Sequence, residues 1–331
     1  MQENPKTTSL PRLGISHGDI NGIAYEVILK AFSDARMLTE MTPILYGQSK
    51  VLSYYKKNFG IDDFNYSLTR DARQAWAQKF NILNIVDHEL KIDPGLLTSL
   101  SAEMSVLSLK TASEDLKNGY IDGLVMAPSC RSVETTQASY LASTFGNPDA
   151  LRLLVSDYMR VGLATDDMPL REALAKIDSA MLTRKLTTLS QSMKTDFGIN
   201  GPKIAVMGLD PHAGSAEASK PDGLVEKAVV DAKKTGVLAF GPFSASRLFV
   251  QGMWRKYDAV LALTYDQGAL PFKLMSVNGY AYFWAGLPVV CTGPFHGPGF
   301  DIANTNTATP DALRKAVYLA VDIVNQKKEA R

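Results

Sequence analysis

Short apolar runs alternate along the chain with longer segments in which apolar residues recur at helical spacing. Strands that alternate with helices in this way favour a largely parallel sheet, so the pattern predicts an α/β fold. The apolar runs that predict strands are residues 12–15, 42–46, 82–86, 123–126, 161–164, 203–207, 259–263 and 288–291.

Two segments show the helical pattern most clearly. The first follows the opening strand and carries its apolar residues on one face. The second begins after Thr309-Pro310-Asp311, which supplies an N-cap residue, a proline at the first helical position and an early acid. The residues predicted to face the core in these two helices are Val27, Ile28, Ala31 and Phe32, and then Leu313, Ala316, Val317, Ala320, Ile323 and Val324.

Composition narrows the class of protein. The 331 residues are 46% hydrophobic and 21% charged, and 35 basic residues against 34 acidic ones give a formal charge of +1. This balance argues against nucleic-acid binding through a broad basic surface. The chain has no apolar stretch of about 18 residues and no apolar leader after Met1, so the sequence predicts a cytoplasmic protein with no membrane partner. Two cysteines, Cys130 and Cys291, are too few for a disulfide framework.

The chain is long enough for two lobes. Residues 128–147 are rich in Ser, Thr and Gln and indicate a boundary. The predicted first lobe comprises residues 1–130 together with about 290–331, and the second about 131–289, with an active-site cleft between them.

Polar, glycine-bearing segments follow several predicted strands, where ligands collect in open α/β sheets. After the first strand comes Gly18-Asp19-Ile20-Asn21-Gly22, which suits either an anion-binding helix start or a plain capped turn. Later strands run into Asp210-Pro211-His212-Ala213-Gly214, Tyr265-Asp266-Gln267-Gly268 and Phe295-His296-Gly297. A lone loop histidine is often structural, but several such loops together favour a site.

These motifs resemble the signatures of the 4-hydroxythreonine-4-phosphate dehydrogenase family. The resemblance also covers Ala127-Pro128, Gly241-Pro242 and Gly286-Leu287-Pro288, and it runs through nearly the whole chain in order. It implies a two-lobed α/β/α fold of the isocitrate/isopropylmalate dehydrogenase type and a homodimer that forms through the second lobe. It further implies NAD, a divalent metal, and the oxidation and decarboxylation of a phosphorylated hydroxy amino acid in pyridoxine and pyridoxal phosphate biosynthesis.

The resemblance assigns roles to individual positions. Asp266 and Lys273 are the expected catalytic residues. The remaining positions are Gln137, Ala138, Lys273, Tyr282 and Cys291 for substrate, Gly18, Asp19, Asn21, Gly22 and His296 for the cofactor, and His212, Asp167 and Tyr265 for the metal.

Several of these positions depart from the family pattern. The family holds its metal with three histidines, of which His212 remains, while Asp167 and Tyr265 stand at the other two positions. A neutral tyrosine is a poor ligand, so the metal is expected to be weak or absent, with Mg²⁺ or Mn²⁺ favoured over Zn²⁺. Tyr282 and Cys291 stand where the family has Asn and Arg, and loss of that Arg removes a phosphate clamp.

Other departures change polar groups while the fold-setting glycines and prolines remain. The family's Gly-His-Thr-Glu is Thr136-Gln137-Ala138-Ser139 here, Ser246 replaces an Asp, and Arg131 stands at a usual Lys. Two hypotheses stay open. One is a dehydrogenase retuned to another substrate or impaired; the other is a non-catalytic family member that acts as a binding or structural partner.

Overall fold

A computed structural model describes residues 10–215, 223–276 and 279–330, and the side chains at positions 131, 132 and 134–136 lie outside that description. The chain divides into two compact units. Unit 1 contains residues 1–134 and 296–325, and unit 2 contains residues 135–295 and 326–331.

Unit 1 is built on five parallel strands in the described part of the chain, in the order β3-β4-β2-β1-β5. Its strands are β1 (Arg12–Ser16), β2 (Thr42–Gly47), β3 (Ser67–Thr69), β4 (Asn81–Asn84) and β5 (Gly123–Met126). Its helices are α1 (Ala24–Phe32), α2 (Ser49–Asn58) and α3 (Ser99–Lys117), with short 3₁₀ turns at Ala35–Thr39, Ala72–Gln74 and Phe300–Ile302.

Unit 2 is built on seven strands in its described part, in the order β12-β11-β6-β7-β10-β8-β9. The pairs among β7, β10, β8 and β9 are parallel, and those among β12, β11, β6 and β7 are antiparallel. The strands are β6 (Leu151–Val155), β7 (Arg160–Leu163), β8 (Lys203–Met207), β9 (Leu238–Phe243), β10 (Ala259–Ala262), β11 (Ala281–Ala285) and β12 (Val290–Pro294).

Six further helices lie in the described part of the chain, and the first and the last of them include residues of both units. The helices are α4 (Arg131–Phe145), α5 (Leu170–Lys176), α6 (Ser179–Thr195), α7 (Gly223–Lys234), α8 (Tyr265–Met275) and α9 (Asp311–Glu329). Short helical turns follow β9 at Ser246–Val250 and Met253–Lys256.

The structure confirms the predicted fold class and the eight predicted strands, with ends that shift by up to three residues. Strands β3, β6, β9 and β11 are absent from the prediction. β3 has three residues at a sheet edge, and β6 and β11 lie at the centre of the antiparallel part, where every β11 residue is buried. Ala281–Ala285 is a continuous buried apolar run of the same kind as β5 and β10, which the sequence located.

The two predicted helices are also confirmed. α1 buries Val27, Ile28, Ala31 and Phe32, and α9 buries each apolar residue predicted to face the core. Among the described residues, no helix combines the length and the apolar character needed to cross a membrane.

Candidate functional site

Three neighbouring parallel strands of unit 2 bring the predicted metal and catalytic residues to one sheet edge. β7, β10 and β8 are adjacent and parallel, so their carboxyl ends point the same way. Asp167 follows β7, Tyr265 opens α8 directly after β10, and His212 lies in the turn after β8. The topology therefore places the three predicted ligands at a common edge.

Hydrogen bonds join these strand ends to one another. Thr165 Oγ1 donates to the Leu263 carbonyl at 2.7 Å, and Leu263 N donates to Gln267 Oε1 at 2.9 Å. Gln267 Nε2 in turn donates to the Gly208 carbonyl at 2.7 Å. Gln267 thus fixes the first turn of α8 to the ends of both β10 and β8. Sequence reasoning assigned Gln267 no role, although the Asp-Gln-Gly motif contained it.

Helix α8 carries both predicted catalytic residues. Asp266 is exposed in the first turn, and Lys273 follows seven residues later, two helical turns along the same face. Gly268 lets the helix approach the sheet, because a Cβ there would lie 2.6 Å from Ala262 Cβ and 2.8 Å from a Leu163 methyl carbon. Lys273 Nζ lies 4.5 Å from the centroid of the Phe295 ring.

The predicted substrate residues Tyr282 and Cys291 are core residues of unit 2. Tyr282 is 5% exposed and Cys291 is fully buried. Burial raises the pKa of the Cys291 thiol to about 12, so it is neutral at physiological pH. The Tyr282 ring also covers Gly293, where an added Cβ would lie 2.6 Å from the ring. Packed, uncharged side chains therefore occupy both positions.

An arginine lies against the same aromatic cluster. The guanidinium carbon of Arg152 lies 5.0 Å from the ring centroid of Tyr282, 5.4 Å from that of Trp284 and 5.8 Å from that of Phe295. Arg152 Nε also donates to Asp166 Oδ2 at 3.1 Å. Sequence reasoning did not single out Arg152 or Phe295, since the contacts that unite them come from different strands.

The other predicted substrate residues lie on helix α4. Gln137 is buried, whereas Ala138 is half-buried and borders a cavity of unit 2. The side chains of Arg131 and Thr136 lie outside the described part of the structure. Ser246, which stands where the family has an Asp, is exposed in the turn after β9.

The predicted cofactor loop of unit 1 uses its side chains internally. Asp19 Oδ1 accepts a hydrogen bond from Asn21 N at 2.9 Å, and its Oδ2 accepts one from Ser101 Oγ at 3.2 Å. Asn21 Nδ2, in the side chain, donates to the Leu96 carbonyl at 3.0 Å, and Asn21 Oδ1 accepts a hydrogen bond from Asp93 N at 2.8 Å. Both side chains are fully buried, and burial raises the pKa of Asp19. They shape this loop, and direct contact with a cofactor stays a prediction.

The two glycines of that loop allow close backbone contacts within unit 1. Gly18 has φ +68°, and a Cβ there would lie 2.3 Å from the Pro128 carbonyl oxygen. A Cβ on Gly22 would lie 2.4 Å from the Pro298 carbonyl oxygen. His296, two residues before Pro298, is half-buried, and its Nδ1 lies 3.0 Å from the Gly297 carbonyl oxygen. Of the five predicted cofactor positions, His296 is the one with a side chain at the surface.

The donor set at the strand ends does not fit a tightly bound metal ion. Among the described residues, no three His, Cys, Asp or Glu side chains come together as a potential metal site. His212 is exposed, its backbone amide donates to Asp210 Oδ1 at 2.7 Å, and the Tyr265 ring packs 5.8 Å from that of Phe295. One imidazole, one carboxylate and one neutral phenol form a weak set for a divalent ion.

The chain has an α/β fold of the isocitrate dehydrogenase type. The chain is similar to the solved structure of isocitrate dehydrogenase from Methylococcus capsulatus, with a TM-score of 0.52 and 13% identity over 97% of this chain and 88% of that one. It is also similar to the crystal structure of 4-hydroxythreonine-4-phosphate dehydrogenase from Klebsiella pneumoniae, with a TM-score of 0.79 and 22% identity over 95% and 99% of the two chains. The predicted fold class is thereby confirmed.

Sequence comparison gives the family. The family model described as pyridoxal phosphate biosynthetic protein PdxA matches residues 39–320. A relative from Bacteroides thetaiotaomicron, 4-hydroxythreonine-4-phosphate dehydrogenase, is 33% identical over 97% of this chain and 90% of its own length. The chain belongs to the PdxA family, which confirms the resemblance, and it is an enzyme of the oxidoreductase class.

Proposed function

We propose that this protein is an NAD-dependent dehydrogenase that oxidises a hydroxy acid without a phosphate group. Family membership and the dehydrogenases among its relatives support the reaction class. The observation that carries the substrate proposal is the burial of Tyr282 and Cys291 at the positions where the family resemblance implies substrate contacts.

Phosphate recognition needs cationic groups or clustered N–H donors at the binding position. The Cys291 thiol supplies neither, because it is buried and its pKa is raised to about 12. Nor does the neighbouring Tyr282 supply a charge, and its ring fills space against Gly293. The charge of Arg152 is close by but is shared with Asp166. These side chains favour a substrate whose polar end is smaller than a phosphate ester.

The residues of α8 supply the proposed chemistry. Asp266 presents an exposed carboxylate at the sheet edge, which suits it to accept the proton of a substrate hydroxyl. Lys273 holds a positive charge on the same helix face, and Gln267 keeps that helix in register with the strand ends. NAD, when bound, accepts the hydride. The weak donor set leaves room at most for a loosely held Mg²⁺ or Mn²⁺.

The test compares 4-hydroxythreonine with its 4-phosphate ester, following NADH absorbance. We expect kcat/KM for the phosphate ester to lie below about 10⁴ M⁻¹s⁻¹ and to be no higher than that for the free hydroxy acid. Asp266→Asn should lower kcat for whichever substrate is used. Efficient turnover of the phosphate ester would overturn the substrate proposal, and no turnover of either compound would favour a non-catalytic family member.

We also propose a homodimer that forms through unit 2. Two large apolar side chains one turn apart on α8, Leu270 and Leu274, are 59% and 70% exposed. Apolar side chains exposed together in this way are typical of a surface that a partner covers. A role in pyridoxal phosphate biosynthesis rests on the family alone.

A further inference from the structure

A cavity of about 500 Å³ lies wholly within unit 2, at the carboxyl end of β7. Segments from β6, β7 and β11 line it, together with residues of helices α4, α5 and α6. Its volume is in the range of pockets that hold metabolite-sized ligands. The catalytic residues of α8 and His212 do not line it, whereas the predicted substrate residue Ala138 does.

The charged groups of the lining are mainly basic. Two acids border the cavity, and each is paired with an arginine. Arg152 Nε lies 3.1 Å from Asp166 Oδ2, and Arg184 Nε lies 3.0 Å from Asp149 Oδ1. Within each pair the two charges cancel, so these four residues add no net charge to the lining.

Two further lysines, Lys176 and Lys185, border the same cavity, so its lining has an excess of two positive charges. Lys185 is half-buried and donates to the Ala150 carbonyl at 2.8 Å. Burial lowers its pKa, which means that desolvation disfavours its charged form. A bound anion would offset that desolvation cost.

The buried arginine is held in place before any ligand arrives. Arg152 has a side chain that is 6% exposed, and its guanidinium lies over the Tyr282 and Trp284 rings. Stacking and the Asp166 pair restrict its rotamers, so that little side-chain entropy remains to be lost on binding. A guanidinium fixed in this way stays at the cavity wall beside Lys185 when a ligand binds.

The rest of the lining is apolar. Trp284 borders the cavity and is 6% exposed, and Leu163, Met168 and Met181 line other parts of it. An indole and flexible thioethers suit a compact apolar body and adapt to its shape. The cavity therefore combines a basic end with an apolar body.

We propose that this cavity binds a small carboxylic acid with an apolar, ring-sized body, its carboxylate directed to Arg152 and Lys185. A carboxylate matches the excess positive charge of the lining, and the body matches the apolar part of the lining. The proposal concerns binding alone and does not depend on the dehydrogenase reaction.

The experiment measures binding of three probes by titration calorimetry on the full-length protein. Benzoate combines the two features, benzamide lacks the charge, and acetate lacks the ring. We expect benzoate to bind with a Kd of about 1 mM or below, and each of the other probes to bind at least about tenfold more weakly. Inorganic phosphate serves as a fourth probe, and it should bind no better than acetate.

Substitutions in the cavity lining test whether benzoate binds there. Lys185→Gln and Arg152→Lys should each raise the Kd for benzoate by about tenfold. Lys194→Gln, an exposed lysine on the same helix as Lys185, is the matched control and should bind benzoate as the parent does. Arg152 is part of the packed aromatic cluster, so its substitution could unfold the protein. A thermal melt of each variant separates lost binding from lost folding. Lys185→Gln tests the site without disturbing the cluster.

Three outcomes would overturn the proposal. The first is equal affinity for benzoate and benzamide, which would remove the charge requirement. The second is benzoate binding that both Lys185→Gln and a folded Arg152→Lys leave unchanged. The third is the lack of any heat of benzoate binding at a ligand concentration of about ten times the expected Kd.

Discussion

Lys273 Nζ lies 4.5 Å from the centroid of the Phe295 ring, and the guanidinium carbon of Arg152 lies 5.8 Å from the same ring. An aromatic face attracts a cation by about 0.5–2 kcal/mol, depending on its solvation. The contact places Lys273 at the aromatic cluster that fills the predicted substrate positions. In this chain Lys273 is therefore suited to act as a fixed positive charge.

We predict that the purified protein holds no tightly bound zinc. Asp167 and Tyr265 stand where the family resemblance implies histidines, and a neutral phenol is a weak zinc ligand. The matched variant carries Asp167→His and Tyr265→His and should take up about one zinc per chain when dialysed against Zn²⁺. Elemental analysis measures both. Near-stoichiometric zinc in the parent protein that disappears in His212→Ala would contradict this prediction.

We predict a homodimer in solution. Light scattering at micromolar concentration should give twice the chain mass of 36.1 kDa. Leu270→Glu combined with Leu274→Glu places two charges on the exposed apolar face of α8 and should shift the mass toward that of the monomer. The control is Leu68→Glu, an exposed leucine of unit 1, which should leave the mass unchanged. A parent protein that scatters as a monomer would refute the dimer.

We predict that Gln267→Leu lowers the free energy of unfolding by about 2–4 kcal/mol. The leucine side chain leaves the buried Leu263 amide and the Gly208 carbonyl without the partners that Gln267 supplies. Urea denaturation measures the change. Gln191→Leu, at an exposed position of α6, should change the same quantity by less than about 0.5 kcal/mol. Equal effects of the two substitutions would show that Gln267 does not stabilise the strand ends.

We predict that His17 makes the protein less stable as the pH falls from 6.5 to about 4. Burial lowers the pKa of the folded His17 from 6.5 to about 4, so the unfolded chain binds a proton in this range and the folded chain does not. The contribution is fully present above pH 6.5, and its loss reaches about 3 kcal/mol at pH 4.

His17→Gln removes this titration, so parent and variant should differ in the slope of stability against pH within this window. The raised pKa of Asp19 acts in the opposite direction, but it is common to both proteins and cancels in the comparison. His88→Gln, at an exposed histidine, should leave the slope unchanged. Parallel pH profiles for the parent and His17→Gln would contradict the assignment.

The sequence by itself determined the family and the fold class. Short apolar runs located eight strands, and helical spacing located α1 and α9, because burial of one helix face imposes a local spacing that survives without tertiary information. Strand β11 was missed although its residues are buried and apolar like those of β5 and β10, so burial alone does not separate the located strands from the missed one.

At the site, the sequence identified the residues that follow β7, β10 and β8. Each of these residues belongs to a short motif of consecutive positions, which can be read without knowledge of the fold. Only the tertiary structure decided what those residues contact. The Gln267 bonds, the burial of Tyr282 and Cys291, and the position of Arg152 over three rings join residues far apart in the chain. Contacts of this kind depend on strand order and register, which bring side chains together across a sheet and leave no local pattern in the sequence.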